Sequence, residues 1–134
     1  MTETKIPEDR YYTTSHEWVK SEEGVILVGI TDHAQSELTD IVFVDLPSVG
    51  KSVAAGATVL VLESVKTVAD VYAPRDGTVS AVNAELKLHP EWINQDPYGK
   101  GWLFKLALAS ALDPTTLLDA GKYRAHLAAD HASP

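Results

Sequence analysis

The sequence predicts a mostly β fold, a flattened antiparallel β-sandwich or barrel with short helices and a C-terminal helical segment. Between Tyr11 and about Leu108, short β-prone runs alternate with turn residues at a spacing typical of small all-β domains. After Leu108 the composition becomes that of helices. A length of 134 residues with 45% hydrophobic content suits one domain with its own core.

The first half of the β region contains two predicted strands and a short helix. Gly24–Ile30 is an apolar run bounded by glycine, which is typical of a buried strand. Thr31–Asp32 forms a capping pair before a helix of about two turns over His33–Leu38. Ile41–Leu46 is the next predicted strand, and it ends at Pro47.

The second half contains four more predicted strands. Thr58–Leu62 is rich in valine and leucine, and Thr67–Tyr72 contains two valines and a tyrosine, as buried or half-buried strands do. Asp76–Gly77 is a favourable turn pair and leads into Thr78–Val82. Gly101–Leu108 is the last predicted strand.

The remaining predicted elements are helical. Asn83–Leu88 favours a short helix. Asp113–Pro114 indicates a helix start, because proline is tolerated at the first helical position. Thr115–Asp119 and Lys122–Ala128 then predict two short helices separated at Ala120–Gly121.

We therefore predict a single domain over residues 11–134, with its β core at about 24–108 and C-terminal helices at about 113–130. Residues 1–10 are charged and include Pro7, so we expect a flexible N-terminal arm. The same residues lack the apolar segment of a secretory signal and the Arg/Ser-rich character of a transit peptide. We expect a cytoplasmic protein, or a mitochondrial matrix protein in its mature form.

Composition excludes several classes of function. Nineteen acidic and eleven basic residues give a formal charge of −8, which disfavours nucleic-acid binding. The absence of cysteine excludes disulfides, thiolate catalysis and cysteine-bound metals. No uninterrupted apolar run is longer than that of Val59–Leu62, which is too short to cross a membrane. The histidines lack metal-ligand spacing, so we expect no metal. We also expect a monomer.

A polar interruption between two β-prone runs predicts a hairpin with Lys66 at its tip. Glu63-Ser64-Val65-Lys66 separates Val59–Leu62 from the strand that follows. A solvent-exposed lysine has nothing to depress its pKa, so it is unsuited to Schiff-base catalysis. It is well suited to covalent modification by an enzyme. Lysines at hairpin tips also protect strand edges from aggregation, so this pattern alone leaves both interpretations open.

The residues around the hairpin resemble a known family. The hairpin, with Ala73-Pro74-x-x-Gly77, resembles those of lipoyl and biotinyl carrier domains, and most closely the H proteins of the glycine cleavage system. Further blocks resemble that family in its order across about residues 11 to 127: His16-Glu17-Trp18, Gly29–Gln35, Val42–Gly50, Asn94–Trp102 and Leu117–Ala120. Biotin carriers place methionine on each side of the lysine, whereas Val65 and Thr67 stand here.

The resemblance implies a lipoyl-domain-like hybrid fold and a lipoyl group bound covalently to Lys66. It further implies a carrier, not an enzyme, that takes an aminomethyl group from glycine decarboxylase (P protein) to aminomethyltransferase (T protein) and electrons to dihydrolipoamide dehydrogenase (L protein). A lipoylating enzyme is the fourth implied partner. The acidic surface is expected to speed docking onto basic rims of these enzymes.

The resemblance also assigns roles to residues near the lysine. By position, Glu17 and Asp70 match the acidic residues that hold the cationic end of the loaded arm, and Ser15 and Ser64 are weaker candidates for arm contacts. Glu63, Ser64 and Val65 flank the attachment point, and Glu63 is a candidate acidic mark for the lipoylating enzyme. Asp70 is alternatively a solvated strand residue, and His16 a structural hydrogen-bonding residue.

Two other functions remain open at this point. An H-like protein used chiefly to relay lipoyl groups to other acceptor proteins needs the same modified lysine. An unmodified interaction module would keep only the sandwich. An independent enzyme is disfavoured because no nucleophile and base are paired in the sequence.

Overall fold

The computed structural model describes residues 4–132, and all strand pairings in it are antiparallel. The strands, in chain order from β1 to β9, are Tyr11–Tyr12, Glu17–Glu22, Val25–Ile30, Ile41–Asp45, Ser52–Val53, Thr58–Ser64, Val68–Tyr72, Gly77–Val82 and Phe104–Leu108. They form one sheet in the order β1-β2-β3-β9-β8-β5 and a second in the order β4-β6-β7. The predicted mostly β, flattened sandwich is confirmed.

Three α-helices connect or cover the sheets: α1 at Asp32–Leu38, α2 at Trp92–Gln95 and α3 at Ala120–Ala132. Two 3₁₀ turns lie at Ala84–Lys87 and Pro114–Thr116. Thr31 caps α1 as predicted, with its side chain accepting a hydrogen bond from the Ala34 amide at 3.2 Å. Within residues 4–132, no helix is long and apolar enough to cross a membrane.

The C-terminal helices differ from the predicted pair. The segment after Asp113 is a 3₁₀ turn, and a single helix begins at Ala120, so Gly121 lies in its first turn and not at a break. The reason is local capping. The Asp119 carboxylate accepts a hydrogen bond from the Lys122 amide at 2.8 Å, which satisfies one of the free N–H groups at the helix start.

Strand β2 was not predicted, because its sequence does not alternate between apolar and polar residues. Its first three residues, Glu17, Trp18 and Val19, are all buried, since structure covers both faces of the strand at this point. Trp18 pairs with Gly29 on β3, and a Cβ atom at Gly29 would lie 2.6 Å from the Trp18 ring. Glycine at position 29 is therefore required for the indole to lie flat against the strand.

The main core lies between the two sheets and is built from valine, leucine and isoleucine of both, with Phe104 among them. A second cluster lies outside the larger sheet, where Tyr12, Trp18, Ala120, Tyr123 and Leu127 pack together. The Tyr12 and Tyr123 rings stack with centroids 4.7 Å apart. This cluster fixes α3 against β1 and β2, next to the segment that carries Glu17.

Residues 4–10 contact the start of α1 and this second cluster. The Lys5 amide donates to Asp32 Oδ2 at 2.9 Å, and the Arg10 guanidinium lies 4.7 Å from the Trp18 ring centroid. The Tyr12 hydroxyl donates to the Pro7 carbonyl. Residues 1–3 of the predicted arm lie outside the described residues, and the flexibility of residues 1–10 stays a prediction.

Candidate functional site

The hairpin of β6 and β7 presents Lys66 on a turn held by Ser64. Glu63 pairs with Val68, which leaves a four-residue turn between them. The Ser64 hydroxyl accepts hydrogen bonds from the amides of Lys66 at 3.1 Å and Thr67 at 3.0 Å. The Ser64 amide donates to the Thr67 carbonyl at 2.8 Å. These bonds use the Ser64 side chain to fix the turn, and its contact with an arm stays a prediction.

A second support connects the turn to the neighbouring loop. The Val65 amide donates to the carbonyl of Asp40 at 3.0 Å, in the segment between α1 and β4. The tip therefore has hydrogen bonds within itself and to the body of the domain. A rigid base of this kind defines where the lysine side chain begins.

Lys66 is exposed, as predicted for a residue at a hairpin tip. Its Nζ donates to the Glu37 carbonyl at 3.4 Å, a long hydrogen bond at the surface. Among the described residues, no carboxylate oxygen lies within 4.0 Å of this nitrogen. The amine is accessible to another protein, because neither burial nor an ion pair holds it.

A cavity of about 350 Å³ lies between α1, β7 and the segment before β2. This volume is within the ordinary range for small-molecule sites. Its apolar wall is formed by Ile30, Ala34, Leu38, Leu62, Ala69 and Val71. Its polar wall is formed by Ser15, His16, Glu17, His33, Glu37 and Asp70. Glu37 also accepts the hydrogen bond from Lys66, so the lysine lies at the mouth of this cavity.

Glu17 provides a buried carboxylate in the wall of the cavity, with 2% of its surface exposed. Its Oε1 accepts hydrogen bonds from the hydroxyls of Thr13 at 2.5 Å and Ser15 at 2.6 Å. Its Oε2 accepts from the Tyr72 amide of β7 at 3.2 Å. Burial raises the pKa of Glu17, although the hydrogen bonds from Ser15, Thr13 and Tyr72 oppose that shift.

The Glu17 carboxylate has hydrogen-bond donors but no cationic partner in the part of the chain that the structure describes: no Lys, Arg or His nitrogen lies within 4.0 Å. A buried negative charge without a counter-charge is costly. An amine that entered the cavity as a cation would supply that counter-charge. The geometry therefore fits a ligand with an apolar body and a cationic end.

Ser15 and Asp70 line the same cavity, but each has a different environment. Ser15 is exposed and donates to Glu17, so it orients that carboxylate. Asp70 is exposed on β7, the edge strand of the smaller sheet, in register with Val61. The structure thus brings three predicted residues, Ser15, Glu17 and Asp70, to one cavity, with Lys66 at its mouth.

Sequence reasoning missed two residues of the polar wall, His33 and Glu37. They are four residues apart on α1, and His33 Nε2 lies 3.6 Å from Glu37 Oε1. That spacing on a predicted helix was the available signal. His16, interpreted as structural, does bond through Nδ1 to the Tyr123 hydroxyl at 2.8 Å, and it also lines the cavity. The described residues contain no histidine, cysteine or carboxylate group of three or more that could hold a metal ion.

Comparison with known proteins gives a consistent result at three levels. A family model described as "Glycine cleavage H-protein" matches residues 10–130. A glycine cleavage system H protein of Thermus thermophilus is 52% identical over 119 residues, covering 89% of this chain and 93% of its own. That of Laribacter hongkongensis is 52% identical over 121 residues, covering 90% and 95%.

A solved structure is also similar. The crystal structure of a glycine cleavage system H protein from Mycobacterium marinum aligns with a TM-score of 0.83 at 40% identity. The alignment covers 92% of this chain and 99% of that one. The similarity therefore extends over most of the domain and is not limited to the hairpin that carries Lys66.

Proposed function

Because this chain belongs to the glycine cleavage H-protein family, a family of lipoyl carriers, we propose that Lys66 is its attachment point. The observation that carries this proposal is the exposed amine of Lys66 on a fixed turn at the mouth of a cavity with a buried carboxylate. Amide formation would join Nζ to the carboxyl carbon of an activated lipoyl donor. The ammonium gives up protons and its charge, and the donor's activating group leaves.

The residues present fit such a group. The apolar wall of Ile30, Leu62 and Val71 suits the hydrocarbon part of a lipoyl arm. The cavity has about 350 Å³ of volume and begins beside the lysine. When bound, the lipoyl group supplies a redox-active disulfide that can take up an aminomethyl group and electrons.

We assign this chain the role of a protein cosubstrate that moves between enzymes and does not catalyse a reaction itself. It would shuttle the aminomethyl group from glycine decarboxylase to aminomethyltransferase and electrons to dihydrolipoamide dehydrogenase. The turn at Ser64 presents the lysine at the exposed tip of the hairpin, so that a tethered group can reach a partner's active site. The acidic charge of −8 would speed association with basic partners.

Glu17 would hold the cationic amine of the loaded arm. Its carboxylate already accepts hydrogen bonds from Thr13, Ser15 and the Tyr72 amide, so it is oriented before the arm arrives. The low exposure of Glu17 itself would limit the access of water to an amine bound there. Asp70, at the exposed edge of the same cavity, would add negative charge near the entrance.

The decisive test is the intact mass of the protein made in a lipoate-competent host. We expect one lipoyl mass, placed on Lys66 by peptide mapping, and its complete loss in Lys66→Arg. Lys51→Arg is the matched control, because Lys51 is also an exposed loop lysine and should leave the modification in place. An adduct on another residue, or an unmodified protein from its native source, would contradict the proposal.

A second measurement tests the glycine role specifically. Purified glycine decarboxylase should exchange labelled bicarbonate into glycine when it is given the lipoylated chain, and should fail to do so with Lys66→Arg. Normal lipoylation without exchange would leave attachment at Lys66 intact and contradict the aminomethyl-carrier role.

A further inference from the structure

An apolar patch surrounds the base of the Lys66 turn. Six large hydrophobic side chains are exposed in the described residues, and four of them belong to this region. They are Val42 at 53%, Phe43 at 51%, Val65 at 69% and Val68 at 60% exposed, here called the tip patch. Exposed apolar side chains that cluster mark interaction sites more often than isolated ones do.

Strand register explains how the tip patch forms. Phe43 on β4 pairs with Glu63 on β6, and Glu63 pairs with Val68 on β7, so these three side chains form one row on the outer face. Residues opposite each other in such a row lie about 5 Å apart. A β-bulge between Ile41 and Phe43 lets Val42 and Phe43 be exposed in succession, which widens the patch.

Negative charge is distributed along the same face. The next row of the sheet pairs Asp45, Val61 and Asp70. Strands β4, β6 and β7 together carry three carboxylates, those of Asp45, Glu63 and Asp70, and no basic residue. The face therefore combines an apolar row near the turn, with Glu63 at its centre, and a second row with a carboxylate on each side, Asp45 and Asp70.

We propose that the tip patch is the docking surface for the enzyme that acylates Lys66, and that this enzyme contacts it with an apolar surface bordered by basic side chains. The inference rests on the proposed attachment at Lys66. An enzyme that forms the amide must bring its active site to Nζ itself and thus cover the surface around the turn. Enzymes that act on the far end of the arm have no such requirement, because the arm separates them from the turn.

The complementary charge follows from the carboxylates on the face. Basic side chains around the enzyme's active site would pair with Asp45 and Asp70 in the next row, at the rim of the patch, and with Glu63 between Phe43 and Val68. Charge at the rim mainly affects the association rate and orientation. Apolar contacts at the centre would supply most of the affinity, since a few central residues usually dominate an interface. Phe43 is the largest side chain of the tip patch and is the expected central contact.

The experiment measures lipoyl transfer onto the unmodified chain by purified lipoate–protein ligase with lipoate and ATP, followed by intact mass. In the double variant Phe43→Thr/Val68→Thr, we expect the KM for the protein acceptor to rise about tenfold, with kcat within about twofold, as for loss of central interface contacts. Threonine keeps the β propensity of both positions. Thermal unfolding of each variant verifies that it is folded.

Val49→Thr is the matched control. Val49 is also 61% exposed, but it lies beyond the end of β4 that is farthest from the turn. We expect its KM to equal that of the unsubstituted chain. Added salt should raise the KM of the unsubstituted chain and of Val49→Thr, because it screens the carboxylates of the face from the enzyme.

Other outcomes separate this inference from the proposed function. If the unsubstituted chain accepts no lipoyl group at Lys66, the proposed function fails. If it does and the double variant has the same ligase KM, the inference is wrong. Self-association of the unsubstituted chain that the double variant abolishes would assign the tip patch to a second copy instead. If the lipoylated double variant has a raised KM with glycine decarboxylase while its KM with the ligase is unchanged, the tip patch is the docking surface for glycine decarboxylase instead.

Discussion

The functional residues at the two ends of the cavity have contrasting environments. At the mouth, Lys66 is exposed and bonds only to a backbone carbonyl at 3.4 Å. At the inner wall, Glu17 is 2% exposed and accepts hydrogen bonds from two hydroxyls and one amide. The first arrangement leaves a group accessible to other proteins, and the second fixes a group and isolates it from water. Substitution of the Lys66 side chain should therefore affect function alone, whereas substitutions at the inner wall should affect function and stability together.

The difference arises from the elements that carry each residue. Lys66 lies in a four-residue turn, where a side chain can be changed without disturbing the core. Glu17 begins β2, next to Trp18 and Val19, which are completely buried. Its position depends on how β2 packs, so the inner wall is as sensitive as the core behind it.

The largest effect is expected at Gly29, which lies behind the inner wall. In Gly29→Ala, the new Cβ atom would lie 2.6 Å from the Trp18 ring, so the indole or the strand must move. We expect the free energy of unfolding to fall by about 3 kcal/mol, at the upper end for overpacked cores. Urea unfolding measures this loss. Val65→Ala, at the exposed tip, is the control and should change stability by less than about 0.5 kcal/mol.

A smaller but more informative effect is expected for Glu17→Gln. The variant loses the charge that would hold a cationic amine, so aminomethyl-loaded protein should release its group about tenfold faster, since hydrogen bonds to charged groups contribute ~1.5–3 kcal/mol. Release is measured by mass as the loaded arm hydrolyses in water. An unchanged release rate would contradict the role of Glu17, and Glu63→Gln, at the exposed tip, is the control.

The unsubstituted chain should lose stability relative to Glu17→Gln as pH rises. Burial raises the pKa of Glu17 above its ordinary value of 4.5, so the folded protein binds this proton more tightly than the unfolded chain does. The free energy of unfolding of the unsubstituted chain therefore falls, relative to that of the variant, as pH rises from below 4.5 through the raised pKa. Urea unfolding of both proteins across this range measures the difference, and a constant difference would contradict it.

The smallest effect is expected at the turn. Ser64→Ala removes a hydroxyl that accepts from the amides of Lys66 and Thr67 and donates to the Thr67 carbonyl at 3.1 Å. Because these groups are near solvent, we expect a loss of about 1 kcal/mol in urea unfolding. Lipoylation at Lys66 should continue, and its abolition would show that the enzyme recognises the turn geometry itself.

The sequence predicted the mouth of the cavity better than its inner wall, for physical reasons. The hairpin tip is local: polar residues between two β-prone runs identify it without knowledge of the rest of the fold. Apolar runs bounded by turn residues also predicted β3 and β4, and the Thr31–Asp32 pair predicted the start of helix α1. Thr31 illustrates this, since its capping role depends only on residues within one helical turn.

The inner wall depends on contacts between residues far apart in the chain. Glu17 meets the Tyr72 amide across 55 positions, and His16 meets Tyr123 across 107. The family resemblance pointed to Glu17 by position, but its burial and the Thr13 hydrogen bond came only from the structure. The strand that carries Glu17 was missed, because three consecutive buried residues do not follow an alternating pattern.

The hairpin of residues 58–72 has one further consequence for the laboratory. Its ionisable side chains with a formal charge at neutral pH are Glu63, Lys66 and Asp70, so its net charge is −1. Conversion of Lys66 to an amide removes the one positive charge of the hairpin. The net charge of the hairpin then changes from −1 to −2, and that of the whole chain from −8 to −9. Native electrophoresis or isoelectric focusing should therefore resolve the two forms as separate bands, and a densitometer could follow the acylation of a single amine without radiolabel or antibody.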